Sequence, residues 1–215
     1  MTEASPRSEA TSTSPRAINV PNALTMLRLG LVPVFVYLLV LSDSANEDDG
    51  SGSTQLRYAA AAVFAFASLT DFIDGDYARR RGQITPFGQV ADPIADKALI
   101  GAALIGLSWL GELPWWVTVV VLVREIGVTL LRFWVIRFGI IPASRGGKAK
   151  TALQLTAVLL YLLPLTGDAI DLFRVVLMAA AVIVTIVTGI DYVVRALRLR
   201  RDALGGINSG KGGTR

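Results

Sequence analysis

Apolar residues along this chain gather into six long runs, with polar and charged residues concentrated in the short connections between them. The runs lie near Pro21–Leu41, Arg57–Arg81, Val90–Leu110, Trp115–Phe138, Ala152–Leu165 and Leu172–Val194. Several approach or exceed the ~20 residues that a helix needs to cross a bilayer. Pro21 suits the first turn of a helix, where its missing N–H costs nothing. The pattern predicts an all-α, polytopic membrane protein with six transmembrane helices. Residues 1–17 are rich in Ser, Thr, Pro and Glu and read as a disordered tail. A secretory signal would carry its apolar region much nearer the start.

Charge placement orients these helices. The turns after the first, third and fifth runs hold Asp43, Glu47, Asp48 and Asp49, then Glu112, then Asp168 and Asp171, with only Arg57 and Arg174 near them. The opposite ends carry Arg79–Arg81, then Arg137, Arg145, Lys148 and Lys150, then Arg195, Arg198, Arg200 and Arg201. Basic loops stay on the cytoplasmic side, so both termini are expected in the cytoplasm. Trp115 and Trp116 begin the fourth run, where aromatic rings settle at the interface.

Composition fits a membrane protein: 53% of residues are hydrophobic, 18% are charged, and mean hydropathy is +0.53. The net charge of +4 is read as attraction to anionic lipid, with no nucleic-acid partner expected. The chain has neither cysteine nor histidine. Disulfides, thiol nucleophiles and the commonest general base are thereby excluded. Acid–base or metal chemistry falls to Asp, Glu, Lys and Tyr, and oxygen ligands favour hard cations such as Mg²⁺ or Mn²⁺.

Carboxylates of this kind occur where they are costly. Asp71 and Asp74 lie at the end of the second run, and Asp92 and Asp96 near the start of the third. On a helix, positions 71, 74, 75 and 78 share one face, as do 88, 92 and 96. Small residues at Gly75, Ala78, Gly88, Ala91 and Ala95 would let two such backbones approach closely. Four ionised carboxylates in one pocket repel unless neutralised, and two divalent cations would balance them. The alternative is a set of solvated charges, or ion pairs with Arg79–Arg81 and Lys97. Four carboxylates on two faces in register favour the functional reading.

The segment Asp71–Asp96 reads D-x2-D-G-x2-A-R-x8-G-x3-D-x3-D, and it resembles the signature of the CDP-alcohol phosphotransferases at all eight fixed positions. The resemblance implies a six-helix membrane enzyme, expected as a homodimer, that transfers a phosphatidyl or similar group from a CDP-linked donor to an alcohol and releases CMP. It implies two divalent cations, Mg²⁺ or Mn²⁺, held by Asp71, Asp74, Asp92 and Asp96. Gly75, Ala78, Arg79 and Gly88 would line the CDP site, and Asp96 would also act as the catalytic base. On this reading residues 18–201 form the membrane catalytic domain, between the cytoplasmic tail 1–17 and a flexible cytoplasmic tail 202–215.

Four further segments are similar to a narrower group, the bacterial phosphatidylglycerophosphate synthases. They are Asn19–Arg28, Asp92–Lys97, Arg124–Arg132 and Gly147–Thr151. The likeness implies CDP-diacylglycerol as donor, sn-glycerol 3-phosphate as acceptor, and a location in the bacterial plasma membrane among lipids. An anionic acceptor needs cations. Arg124 and Arg132, eight residues apart on one helix, and Lys148 and Lys150 are the candidates. For the lysines, positive-inside topology is the competing explanation. Asn22, Thr25 and Arg28 are read either as a helix start at the interface or as contacts to the donor. Within the same chemistry, phosphatidylglycerol or an inositol phosphate are alternative acceptors. An ion or proton transporter is the alternative of another class, but it predicts carboxylates spread across the bilayer, and the absence of an internal repeat weakens it.

Single cysteines placed at Ser51 and Ser144 of this cysteine-free chain test the orientation. An impermeant thiol reagent added to intact cells is expected to label position 51 and spare 144; labelling only at 144 would reverse the topology.

Overall fold

The computed structural model describes residues 20–44, 50–81, 86–135 and 145–209, with the intervening turns 110–114 and 163–167. Those residues form six helices: α1 (Val20–Ser44), α2 (Gly50–Arg81), α3 (Pro86–Trp109), α4 (Trp115–Val135), α5 (Arg145–Leu162) and α6 (Asp168–Ser209). No strand occurs among the described residues. The all-α expectation and the number of helices agree with this order. The ends shift: α2 begins seven residues before Arg57, and α6 continues past 201 to Ser209.

Proline and glycine mark several ends. Pro21 lies in the first turn of α1, and Pro86 opens α3. At the end of α3, Gly111 takes a φ of +74°, a conformation that disfavours any side chain. The Gly111 N–H donates to Ser108 O at 3.2 Å and the Glu112 N–H to Leu107 O at 3.0 Å. These are the two bonds of a Schellman cap, which satisfy carbonyls the helix leaves open.

The packing surrounds α2, α3 and α5. α1 lies against α2 and α3, α4 against α3 and α6, and α5 against α2, α3 and α6. Phe35 of α1 meets Phe64 of α2 with ring centroids 5.7 Å apart. Ala60, Ala61 and Ala67 of α2 and Ala103 of α3 are fully or almost fully buried, so small side chains line the interior of the bundle. A Cβ on Gly106 would come within 2.5 Å of Leu39 Cδ2, which marks a close contact between α3 and α1.

The outward surface is apolar. Tyr37 and Val40 of α1, Val123 and Leu130 of α4, and Ile183 and Ile190 of α6 are exposed large hydrophobics. Such a surface belongs in lipid. Among the described residues, two helices, Ala23–Ser44 and Asp168–Arg201, are long and apolar enough to span by length and composition alone. The apolar parts of α3 and α5, Lys97–Trp109 and Lys150–Leu162, are shorter. Charges on α2, α4 and α5 have partners inside the bundle. Arg57 pairs with Glu112, and Lys150 pairs with Glu125.

Arg57 ties three elements together. Besides its ion pair with Glu112 in the α3–α4 turn, its Nε donates to Leu162 O at 3.2 Å and its Nη2 to Tyr161 O at 3.3 Å. These carbonyls end α5 and have no helical N–H to receive. Arg174 acts similarly from α6, donating to Leu163 O at 3.1 Å and to Leu165 O. The two basic residues that interrupt the acidic end of the sequence are thus helix caps. Arg57→Ala is expected to lower stability by about 2 kcal/mol, because it strands Glu112 and two carbonyls. Thermal unfolding in detergent measures this, and an unchanged midpoint would refute the capping role.

Candidate functional site

The aspartate-bearing segments occupy the last turns of α2 and the first turns of α3, on either side of the connection 82–85. Asp71, Asp74, Gly75, Ala78 and Arg79 belong to α2; Gly88, Asp92 and Asp96 belong to α3. Their backbones are helical, which preserves the i, i+3 and i, i+4 spacing of the four carboxylates. The side chains of these eight residues, and of Asn22 and Lys148, lie outside the described residues. Just inside that level Ala67 and Ala95 are wholly buried.

Next to these segments is a cavity of about 180 Å³. Pockets for drug-sized ligands run to roughly 300–1,000 Å³, so this one suits a smaller molecule. Ser68 of α2, one turn before Asp71, and Lys97 of α3, directly after Asp96, line it. Arg28 enters from α1, Glu125 from α4, and Lys150 and Gln154 from α5. Five helices therefore contribute polar groups to one enclosure. Three cations and one carboxylate leave a positive excess, which favours an anion.

Lys150 is 5% exposed and pairs with Glu125 across α5 and α4. Glu125 of α4 thus has a counter-charge on α5. Its neighbour Arg124 also reaches the carboxylate, with Nη1 3.2 Å from Glu125 Oε1. Most of the Arg124 side chain turns to α6 instead. Nε donates to Thr185 O at 3.2 Å and Nη2 to Thr188 Oγ1 at 2.9 Å. Gly189 makes room for it, since a Cβ there would lie 3.0 Å from Arg124 Cγ. Arg132 is exposed and stacks over the Tyr192 ring at 5.9 Å.

The four cations considered for the acceptor are thus distributed differently. Lys150 faces the cavity, Arg124 and Arg132 lie along α6, and Lys148 is outside the described side chains. Thr25 and Arg28 are 2% and 1% exposed, turned into the bundle from α1. Sequence reading did not assign Lys97 or Gln154 to a binding site. Their signals were present. Lys97 follows Asp96 directly, and Gln154 is a polar residue one turn beyond Lys150 in an otherwise apolar stretch.

Comparison with known proteins bears on this arrangement. A family model described as CDP-alcohol phosphatidyltransferase matches residues 18–187. The chain is 54% identical over 183 residues to a probable phosphatidylglycerophosphate synthase of Mycobacterium tuberculosis, covering 85% of this chain and 84% of that protein. It is 37% identical over 180 residues to the CDP-diacylglycerol–glycerol-3-phosphate 3-phosphatidyltransferase of Bacillus subtilis, covering 81% and 93%. A protein of the same name from Rickettsia typhi is 34% identical over 181 residues, covering 81% and 94%.

The Lys150–Glu125 pair makes a stability prediction of its own. Glu125→Leu leaves Lys150 buried without its counter-charge and is expected to cost about 3 kcal/mol. The double variant Glu125→Leu with Lys150→Met removes both charges and should recover most of that loss. Thermal unfolding of the two in detergent checks it; equal destabilisation would mean that the stranded charge of Lys150 is not the cause of the loss.

Proposed function

This chain belongs to the CDP-alcohol phosphatidyltransferase family, and we propose that it transfers the phosphatidyl group of CDP-diacylglycerol to sn-glycerol 3-phosphate, giving phosphatidylglycerophosphate and CMP. The relatives named for this reaction share the chain along most of their length, which supports the donor and the acceptor together. The single observation that carries the acceptor is the cationic cavity beside the aspartate-bearing ends of α2 and α3. A small anion fits its size and its charge. Arg28, Lys97 and Lys150 receive the acceptor phosphate, and Lys148 adds to the positive field at the start of α5.

The donor set at the helix ends fits hard divalent cations. It consists of carboxylates, in a chain with no histidine or cysteine to offer softer ligands. Asp71, Asp74, Asp92 and Asp96 would hold two such ions, Mg²⁺ or Mn²⁺. When bound, they supply electrostatic stabilisation of charge on the transferring phosphate and the departing one. Gly75, Ala78 and Gly88 leave space for the nucleotide, and Arg79 offers it a charged donor. Asn22 and Thr25, near the start of α1, would contribute to the donor site.

In the transfer step, the primary hydroxyl of the acceptor forms a bond to the phosphorus that carries diacylglycerol. The pyrophosphate P–O bond breaks, and CMP leaves with the electron pair. The hydroxyl proton goes to Asp96. No histidine competes for that role. Cations around the acceptor phosphate hold its hydroxyl in place, and this positioning is itself a large part of the rate. Arg124 and Arg132 of α4 act through their contacts with α6 to set the position of α4, which carries Glu125.

Residues 18–201 form the catalytic domain, crossing the bacterial plasma membrane six times with both termini cytoplasmic; tails 1–17 and 202–215 flank it. The inward-facing charges of α2, α4 and α5 support this topology, since they account for the lower apolarity of those helices. The family resemblance supports a homodimer.

Purified protein given CDP-diacylglycerol, Mg²⁺ and a panel of acceptors tests the function by CMP release. Glycerol 3-phosphate is expected to support turnover, and phosphatidylglycerol and inositol phosphate are not; preference for either of those overturns the acceptor. A chelator should abolish the activity. Asp96→Asn is expected to bind donor nearly normally while turnover falls ~10²–10⁴-fold, the range for losing a general base. Loss of donor binding in step with rate would make Asp96 chiefly a metal ligand.

A further inference from the structure

The cavity contains one polar group that its ion pairs do not explain. Gln154 is 1% exposed, sits on α5 one turn beyond Lys150, and lines the cavity. Its Oε1 and Nε2 are both buried, and neither has a hydrogen-bond partner among the described residues. An amide enclosed this way forfeits both of its hydrogen-bonding ends, which burial normally forbids. An apolar side chain of the same length would fill the space without that cost. The amide therefore marks a position where a ligand supplies the missing partners.

The chemistry of that ligand follows from the group. A carboxamide donates through Nε2 and accepts through Oε1, which matches a hydroxyl, itself both donor and acceptor. It is a poor match for a phosphate, which only accepts and which the neighbouring cations already suit. We propose that Gln154 is a specificity-determining residue that reads the non-reacting, central hydroxyl of the acceptor while Arg28, Lys97 and Lys150 hold its phosphate. This rests on the acceptor reading above and assigns a hydroxyl-recognition role within the same cavity. A site built to bond a hydroxyl discriminates strongly against the analogue that lacks it, because its own polar atoms are then left unpaired.

The test compares glycerol 3-phosphate with 3-hydroxypropyl phosphate, which keeps the phosphate and the terminal hydroxyl but lacks the central one. CMP release from CDP-diacylglycerol reports kcat/KM for each acceptor. The wild type is expected to prefer glycerol 3-phosphate. In Gln154→Met, similar in length and apolar, kcat/KM for glycerol 3-phosphate should fall roughly ten- to hundredfold. That for 3-hydroxypropyl phosphate should be nearly unchanged, so that the preference collapses, and the KM for CDP-diacylglycerol should stay put. Gln154→Asn, which keeps the amide on a shorter stem, should restore part of the preference. A wild type that does not use glycerol 3-phosphate overturns the acceptor reading and this inference with it. Wild-type turnover combined with an equal loss on both acceptors in Gln154→Met, or with an unchanged preference, overturns the role of Gln154 alone.

Discussion

A charge inside a lipid-facing helical bundle must have a partner or a polar enclosure, and the described part of this protein is arranged around that constraint. The cost of an uncompensated ion in a low-dielectric interior is several kcal/mol, comparable to the whole stability of many domains. Each inward-facing charge on α2, α4 and α5 whose contacts are described meets it in a definite way. Arg57 combines Glu112 with the open carbonyls of α5. Arg124 divides its guanidinium between Glu125 and the backbone and hydroxyls of α6. Lys150 shares Glu125.

The same constraint distinguishes cations engaged at helix ends or along α6 from those that line the cavity. Arg57 and Arg174 are occupied with helix ends at the turns, where cations complement the exposed carbonyls. Arg124 and Arg132 fasten α4 to α6 through hydrogen bonds and a ring contact. Arg28, Lys97 and Lys150 instead converge on a cavity, together with one carboxylate and one amide. A small anionic polyol is the kind of molecule such an enclosure accommodates. The lining residues Ser68 and Lys97 adjoin the aspartate-bearing ends of α2 and α3.

Small residues make the convergence possible. Ala60, Ala61 and Ala67 on α2 and Ala103 on α3 are buried, so small side chains leave room inside the bundle. Such packing positions side chains from five helices around one small volume, and rigid helices hold functional groups more accurately than loops do.

Much of the architecture was legible in the amino-acid sequence because it depends on local periodicity. Six helices, the turn at Gly111 and Pro114, and the helical spacing of Asp71, Asp74, Asp92 and Asp96 follow from patterns within a few turns of chain. The type of chemistry was legible for a similar reason: a chain without cysteine or histidine leaves only oxygen and amine groups to do it. The distribution of the cations was not legible. Arg124 and Lys150 are 26 residues apart in sequence, as numbers alone they look equally suited to an anion, and which one faces the cavity depends on the helix packed behind each. Gly189 gives Arg124 a place on α6, while Glu125 draws Lys150 inward. Gln154 is likewise an ordinary polar residue until five helices close around it. Sequence by itself determined the helices and the kinds of side chain available for chemistry, since those rest on local spacing and composition; only the tertiary structure decided which charges pair along the bundle and which line the cavity, since that depends on contacts between distant segments.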